Sequence, residues 1–197
     1  MKSTKLVIIS IFFLCLFFQA CRCPSCSNQD TIVPKDLLLK ANDYIKQSTG
    51  ADFFEKFISP DFASTKYTPP YYFLTYRLII PDKPYVNTVI QFSIDSLGNV
   101  VKDRDIIGIP NCQGGDCSFR ITENDAVKIA KDNGLQNGIK PWKTGFIWDA
   151  RLKQYTWHIL STDAESQSSE GFRGNGKEII IDPNTGLVLA MNDWHVN

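Results

Sequence analysis

The sequence predicts an α+β fold made of two similar halves, each a helix packed on a curved antiparallel β-sheet. Two segments repeat apolar residues with the period of an amphipathic helix. Each is followed by segments that alternate apolar and polar residues, which is typical of half-buried strands. Asp- and Gly-containing turn signals separate several of these alternating segments, as they do in hairpins. Alternation favours antiparallel strands with one face against a helix.

The first half is predicted to begin with a helix after Pro34. Its apolar residues recur at helical spacing: Leu37, Leu38, Ala41, Tyr44 and Ile45. A second apolar cluster at 53–58 predicts a short helical continuation before Pro60. The period-two pattern then predicts strands at 72–80 and 90–94, a hairpin turn at 95–99 and a resumed ladder at Val100 and Val101.

The second half repeats this order. Thr122 is a suitable N-cap, and Asp125 follows three residues later, as in a capping box. The helix is predicted to end at Asn133-Gly134. Strands are expected around residues 146–148, 155–159, 179–181 and 187–191, with a turn at Asp182–Gly186. The segment Thr162–Lys177 is polar and glycine-rich, and is predicted to be a long loop.

Composition excludes two classes of protein. The chain has 197 residues, with 21 basic and 21 acidic side chains, and 43% of its residues are hydrophobic. A disordered chain would have low hydrophobicity and high net charge. A dedicated nucleic-acid binder would need a basic face, so no nucleic-acid partner is expected.

The first twenty residues are predicted to be an export signal. Lys2 and Lys5 precede an apolar core of about 13 residues, whereas a bilayer-spanning helix needs roughly 20. The core ends in Phe-Gln-Ala before Cys21, which resembles a bacterial lipobox. This resemblance implies that Cys21 is diacylated and that the lipid attaches the chain to a membrane. The segment 21–33 is polar, short and without periodicity, and is therefore predicted to be a tether. Arg22 after the cysteine favours the outer membrane, and ordinary secretion after Ala20 is the alternative.

Four further cysteines remain in two close pairs. Gly114-Gly115 lies between Cys112 and Cys117, and this tight turn predicts a disulfide-clipped loop in an exported chain. Cys23 and Cys26 have the C-x-x-C spacing of redox motifs. They lie in the tether without a flanking strand or helix, which favours a tether disulfide or free thiols over redox activity.

The second half resembles a PepSY domain. The resemblance rests on Ile121-Thr122 with Ala126 and Ile129-Ala130, on the strand bearing Trp157, and on Ile181-Asp182 followed by Thr185-Gly186-Leu187. It implies a PepSY-like repeat at 111–197, with a diverged first copy at 34–110. It also implies binding or inhibition of secreted peptidases, and the family supplies no catalytic residues.

No catalytic site is predicted. The chain has no G-x-S-x-G or H-E-x-x-H motif. His158 falls on the strand face opposite Trp157 and is predicted to face solvent. No cofactor and no metal site are expected. Phe172 and Arg173 in the polar loop, with Trp142 and Trp194, are the candidate partner contacts, since Trp and Arg are enriched at binding hot spots.

The sequence therefore predicts a non-catalytic binding module of the cell envelope, with a secreted peptidase or peptide as its partner. Two alternatives stay open: a thiol-redox lipoprotein that uses Cys23 and Cys26, and a purely structural envelope protein.

Overall fold

The computed structural model describes residues 33–102, 104–112, 117–169 and 171–196. Within these ranges the chain forms three helices and two antiparallel sheets, which confirms the α+β class. The described residues belong to one compact unit. The predicted leader, the lipidation site Cys21 and the Cys23–Cys26 pair lie outside the described residues, so they stay predictions.

The first half contains two helices and a four-stranded sheet. Its elements are α1 (Lys35–Thr49), α2 (Ala51–Phe57), β1 (Ile58–Pro60), β2 (Lys66–Thr68), β3 (Tyr71–Ile79) and β4 (Asn87–Ile94). β3 pairs with β4 on one side and with the short strands β1 and β2 on the other. The sequence patterns predicted α1, α2, β3 and β4 but not the two short strands.

α1 packs on this sheet through side chains one helical turn apart. Leu37, Ala41 and Ile45 are buried on one face of the helix. Alternate residues of the two long strands are buried in the same core: Leu74, Tyr76, Leu78, Ile90, Phe92 and Ile94. The residues at helical spacing in α1 and the alternate residues of β3 and β4 therefore form one apolar layer.

The hairpin turn after β4 forms, but the ladder does not resume as a strand. Oδ1 of Asp95 accepts hydrogen bonds from the backbone N–H groups of Leu97 and Asn99. Val100 then makes one isolated bridge to Ile94. The predicted ladder at Val100 and Val101 is reduced to this bridge and to one hydrogen bond from the N–H of Val101 to the carbonyl of Ser93 at 2.9 Å, and these two residues form no strand.

The second half is one helix followed by a four-stranded meander. Its elements are α3 (Glu123–Asp132), β5 (Lys143–Asp149), β6 (Gln154–Ser168), β7 (Gly171–Ile181) and β8 (Val188–Val196). The strand order is β5-β6-β7-β8, with every neighbouring pair antiparallel. This order differs from that of the first sheet, in which β3 pairs with all three other strands.

The caps and core of the second half follow the sequence pattern. Thr122 and Asp125 form the capping box: each side chain accepts a hydrogen bond from the other residue's backbone N–H. Ala126 and Ala130 are buried against the sheet. The sheet residues of this core are Trp157, Ile159, Ile179 and Ile181.

The segment Thr162–Lys177 is a long hairpin, not a loop. β6 extends to Ser168 and β7 starts at Gly171, with a register shift between Thr162 and Ala164. The prediction failed because strand pairing uses backbone groups. Polar and glycine residues can supply those groups without apolar alternation.

The two sheets share a core through aromatic side chains. Tyr155 of β6 is buried in the core of the first half, and its hydroxyl donates to the carbonyl of Gly108 at 3.0 Å. Tyr85, from the segment between β3 and β4, lies with its ring centroid 5.0 Å from that of Trp157. Its hydroxyl donates to the carbonyl of Phe119 at 2.8 Å. Each half therefore completes the apolar core of the other.

Candidate functional site

β8 forms an exposed edge of the second sheet. It pairs with β7 on one side, and no other described strand pairs with its opposite side. Leu189 is 39% exposed and Met191 is 47% exposed. The strand contains neither Lys nor Pro, the residues that commonly block edge pairing. Its backbone N–H and C=O groups are therefore a template for a further strand.

Phe172 and Arg173 lie at the start of β7, in the extended hairpin. Phe172 is 41% exposed, and it pairs with Gln167 across the hairpin. Arg173 pairs with Ser166. The hairpin thus presents the Phe172 ring to solvent, at the end of the strand that pairs with β8.

Trp142 and Trp194 are anchored by their indole groups. Nε1 of Trp142 donates to the carbonyl of Gln136 at 3.1 Å, and Nε1 of Trp194 donates to the carbonyl of Ser161 at 2.9 Å. Both side chains are half-buried. Trp194 lies across Gly176, where an added Cβ would be 2.9 Å from Nε1. These two tryptophans therefore support the local structure, and their indole N–H groups already have acceptors.

His158 is buried, so the prediction that it faces solvent is wrong. It is 7% exposed. Its Nδ1 lies 2.6 Å from Oε1 of Glu178, and its Nε2 lies 2.9 Å from Oγ1 of Thr156. Oδ2 of Asp149 lies 3.7 Å from Nε2. The alternation correctly put His158 on the face opposite Trp157, but it could not show that β5 and β7 bring acidic side chains to the imidazole.

Thr156, His158 and Glu178 follow the order hydroxyl, imidazole, carboxylate. Catalytic triads use this order to activate a nucleophile. However, Thr156 is completely buried at 0% exposure, so its hydroxyl does not face solvent. In this structure the three groups satisfy one another as a buried polar network.

Asp149 is held in its charged form at the edge of this network. Burial raises the pKa of its carboxyl, but the Arg151 side chain and the backbone N–H groups of Leu152 and Arg151 outweigh this. The net result is a pKa below the usual value for an aspartate. Oδ1 accepts from the N–H of Arg151 at 2.8 Å and from the N–H of Leu152 at 3.1 Å. The carboxylate therefore caps the β5–β6 turn.

Cys112 and Cys117 form a disulfide, with their Cα atoms 5.0 Å apart. Both cysteines are buried in the core of the first half. The N–H of Cys112 donates to the carbonyl of Ser48 at 2.9 Å. The clipped loop is thereby attached to the end of α1.

The part of the chain that the structure describes has neither a cluster of metal-ligating side chains nor a helix suited to span a bilayer. Within 33–196, apart from the short gaps, no group of three or more His, Cys, Asp or Glu residues is arranged to hold a metal ion. No helix in that part is both long and apolar enough to cross a bilayer.

Comparison with known proteins gave no relatives: neither the protein-family models nor the curated proteins include a match to this chain.

Proposed function

We propose that this chain is an exported lipoprotein whose second half is a PepSY-like, non-catalytic binding module for secreted polypeptides. Lipidation at Cys21 would hold it at the outer membrane by a tether over 21–33. Its partner would be a secreted peptidase or a peptide. The first half would be a diverged copy of the same unit.

The layout of the second half supports the PepSY-like part of the proposal. α3 carries the Thr122 cap and packs across the sheet through Ala126 and Ala130. Trp157 lies on a central strand and donates its indole N–H to the carbonyl of Ile121 at 2.9 Å. Oδ1 of Asp182 accepts from the N–H groups of Asn184 and Thr185 in the β7–β8 turn. The residues that carry the resemblance thus contact one another through a single helix-on-sheet unit.

The exposed edge of β8 is the observation that carries a binding function. A polypeptide in extended conformation adds to such an edge through main-chain hydrogen bonds, and side-chain contacts give the selectivity. Leu189 and Met191 supply half-exposed apolar surface on this strand. Asp193, further along, is ion-paired with Lys177 of β7 at a distance of 2.8 Å. The apolar first part of β8 is therefore the expected contact.

Site-specific photo-crosslinking in native membranes tests this binding mode. A benzophenone side chain at Met191 is expected to capture an exported polypeptide. The same group at Leu97, which is 67% exposed in a turn of the first half, is the matched control. In a parallel assay, the purified chain is titrated into a thermolysin-like metallopeptidase.

Edge pairing predicts that Met191→Lys weakens capture or inhibition at least tenfold, because a lysine on an edge strand disfavours the addition of a further strand and the apolar side-chain contact is lost. Leu97→Lys should leave capture and inhibition within twofold of those of the parent chain. Equal crosslinking from positions 191 and 97, or full binding by Met191→Lys, contradicts binding at β8.

Membrane attachment is tested separately. Cys21→Ser should move the chain from the detergent-rich to the aqueous phase in a phase-partition experiment, since it removes the acceptor for the acyl chains. An unchanged partition would contradict lipidation at Cys21.

A further inference from the structure

A hollow of about 550 Å³ lies on the first sheet, on the face away from α1. Phe73, Thr75, Gln91 and Ser93 line it from β3 and β4. They alternate with the residues that face α1, and so share the opposite face of the sheet. The remaining walls are formed by Ser64 and Lys66 near β2 and by three residues of the segment 104–107, namely Arg104, Asp105 and Ile107. The volume is within the usual range for small-molecule sites, about 300–1,000 Å³.

The wall formed by segment 104–107 is fixed to the sheet. Ile107 and Gln91 exchange two backbone hydrogen bonds, each 2.9 Å long. Upstream, the N–H of Val101 donates to the carbonyl of Ser93 at 2.9 Å. These bonds hold the segment at the edge of β4, so the hollow has a preformed side.

Arg104 is oriented by two aromatic rings. Its guanidinium carbon lies 4.4 Å from the ring centroid of Tyr71 and 5.1 Å from that of Phe73. A guanidinium stacked on rings keeps its N–H donors at its edges, where they match the two oxygens of a carboxylate or phosphate. In the part of the chain that the structure describes, no carboxylate forms an ion pair with Arg104.

The charged residues of the lining favour an anion. Lys66 and Arg104 are cationic, and Asp105 is the acidic residue that lines the same hollow. Lys66, like Arg104, has no ion-pair partner among the described residues. The lining therefore carries one more positive than negative charge. Thr75 and Ser93 are only 4% exposed and place hydroxyl groups at the floor, while Phe73 and Ile107 add apolar surface.

We propose that this hollow binds a small organic oxyanion, a carboxylate or a phosphate ester, on a flat apolar body. Arg104 donates hydrogen bonds to the oxyanion, and Lys66 adds a second positive charge. The apolar body of the ligand packs against Phe73 and Ile107. The site belongs to the first sheet and does not depend on strand addition at β8.

Ligand titration of the full-length chain in detergent micelles, followed by amide NMR signals, tests the proposal. The probes are benzoate and phenyl phosphate, and the neutral control is benzamide. At least one anion is expected to shift the signals of Phe73, Gln91 and Ile107 to saturation, and the anion that does so identifies the oxyanion class. Benzamide should bind at least tenfold more weakly.

Two substitutions in the lining should act in opposite directions. Arg104→Met should weaken binding of the anion at least tenfold, whereas Asp105→Asn should tighten it several-fold by removing a repulsive charge. Lys66→Met should weaken it less than Arg104→Met does. Arg77→Met is the matched control: Arg77 is exposed on β3, pairs with Asp61 at 3.1 Å and does not line the hollow.

The proposal is overturned if neither anion saturates these signals, or if benzamide binds as tightly as benzoate. It is also overturned if Arg104→Met, with an otherwise native spectrum, binds like the parent chain. An equal loss in Arg77→Met would overturn it too, because general surface charge would then explain the attraction.

Discussion

Tyr155→Phe tests the contact between the two halves of the fold. The hydroxyl of Tyr155 connects β6 to the segment that follows the first sheet. Tyr155 is 3% exposed, and its hydroxyl donates to the carbonyl of Gly108 at 3.0 Å. The substitution keeps the ring but leaves that carbonyl without its donor. Loss of one partner of a buried hydrogen bond lowers the free energy of unfolding by about 1–3 kcal/mol. We expect a loss in this range at pH 8.

The same substitution should change how stability depends on alkaline pH. Burial raises the pKa of Tyr155 to about 12, against a smaller lowering by its hydrogen bond to Thr88. A raised pKa means that the folded state holds the proton more tightly than the unfolded state. The stability that the buried, protonated hydroxyl contributes is therefore complete below pH 10 and is lost as the pH rises towards 12. At pH 11 the tyrosine is mostly ionised in the unfolded state and mostly neutral in the folded state. This lowers the free energy of unfolding of the parent chain by about 1.4 kcal/mol relative to pH 8. The phenylalanine variant escapes this loss.

Urea unfolding of the full-length chain, followed by tryptophan fluorescence at pH 8, 10 and 11, measures both effects. The stability gap between the parent and Tyr155→Phe should narrow by about 1.4 kcal/mol from pH 8 to pH 11. Tyr67→Phe, which changes a side chain that is 47% exposed, serves as the control. A gap that stays constant with pH would refute the reasoning, since the hydroxyl would then titrate alike in the folded and unfolded states.

Two further substitutions test local features. Gly176→Ala places a Cβ 2.0 Å from the carbonyl oxygen of Ser161. This substitution should therefore lower the free energy of unfolding by about 1–3 kcal/mol or more. Gly145→Ala, with its nearest atom at 3.7 Å, should be much milder, and equal urea midpoints would contradict the close approach. Replacing Cys112 and Cys117 by Ser opens a ring with a sequence separation of 5. The greater chain entropy of the unfolded state should then lower the free energy of unfolding by about 2 kcal/mol. Reductant should then shift the midpoint of the parent but not of the variant, and an equal shift in both would contradict a stabilising clip.

The sequence predicted those elements whose signals are local. α1 and α3 have apolar residues at helical spacing, and α3 also has the Thr122 cap, so both helices were expected where they occur. β3 and β4 alternate because one face packs on α1. The turn at Asp182–Gly186 depends on one side chain and a glycine with φ of 76°. All these signals lie within a few residues of the structure that they specify.

The parts that were missed depend on register and on long-range pairing. β1 and β2 have only three residues each, and they form because β3 offers them an edge. The burial of His158 requires Glu178, twenty residues later, to be placed beside it by β7. Likewise, the hollow on the first sheet needs Arg104 to fold back over Tyr71. No periodicity in the chain encodes these three contacts.

The positions of the two proposed surfaces argue that they act independently. β5 and β6 are the strands of the second sheet that meet the first half: the ring centroids of Phe146 and Trp157 lie 5.5 and 5.0 Å from that of Tyr85. β8 is at the opposite end of the strand order. The hollow, in turn, lies on the face of the first sheet that points away from its core. Coupling between sites needs an element with two arrangements that both ligands bias, whereas the contact between the sheets is packed through aromatic rings whose centroids lie 5.0 and 5.5 Å apart. An anion in the hollow should therefore leave strand binding at β8 unchanged.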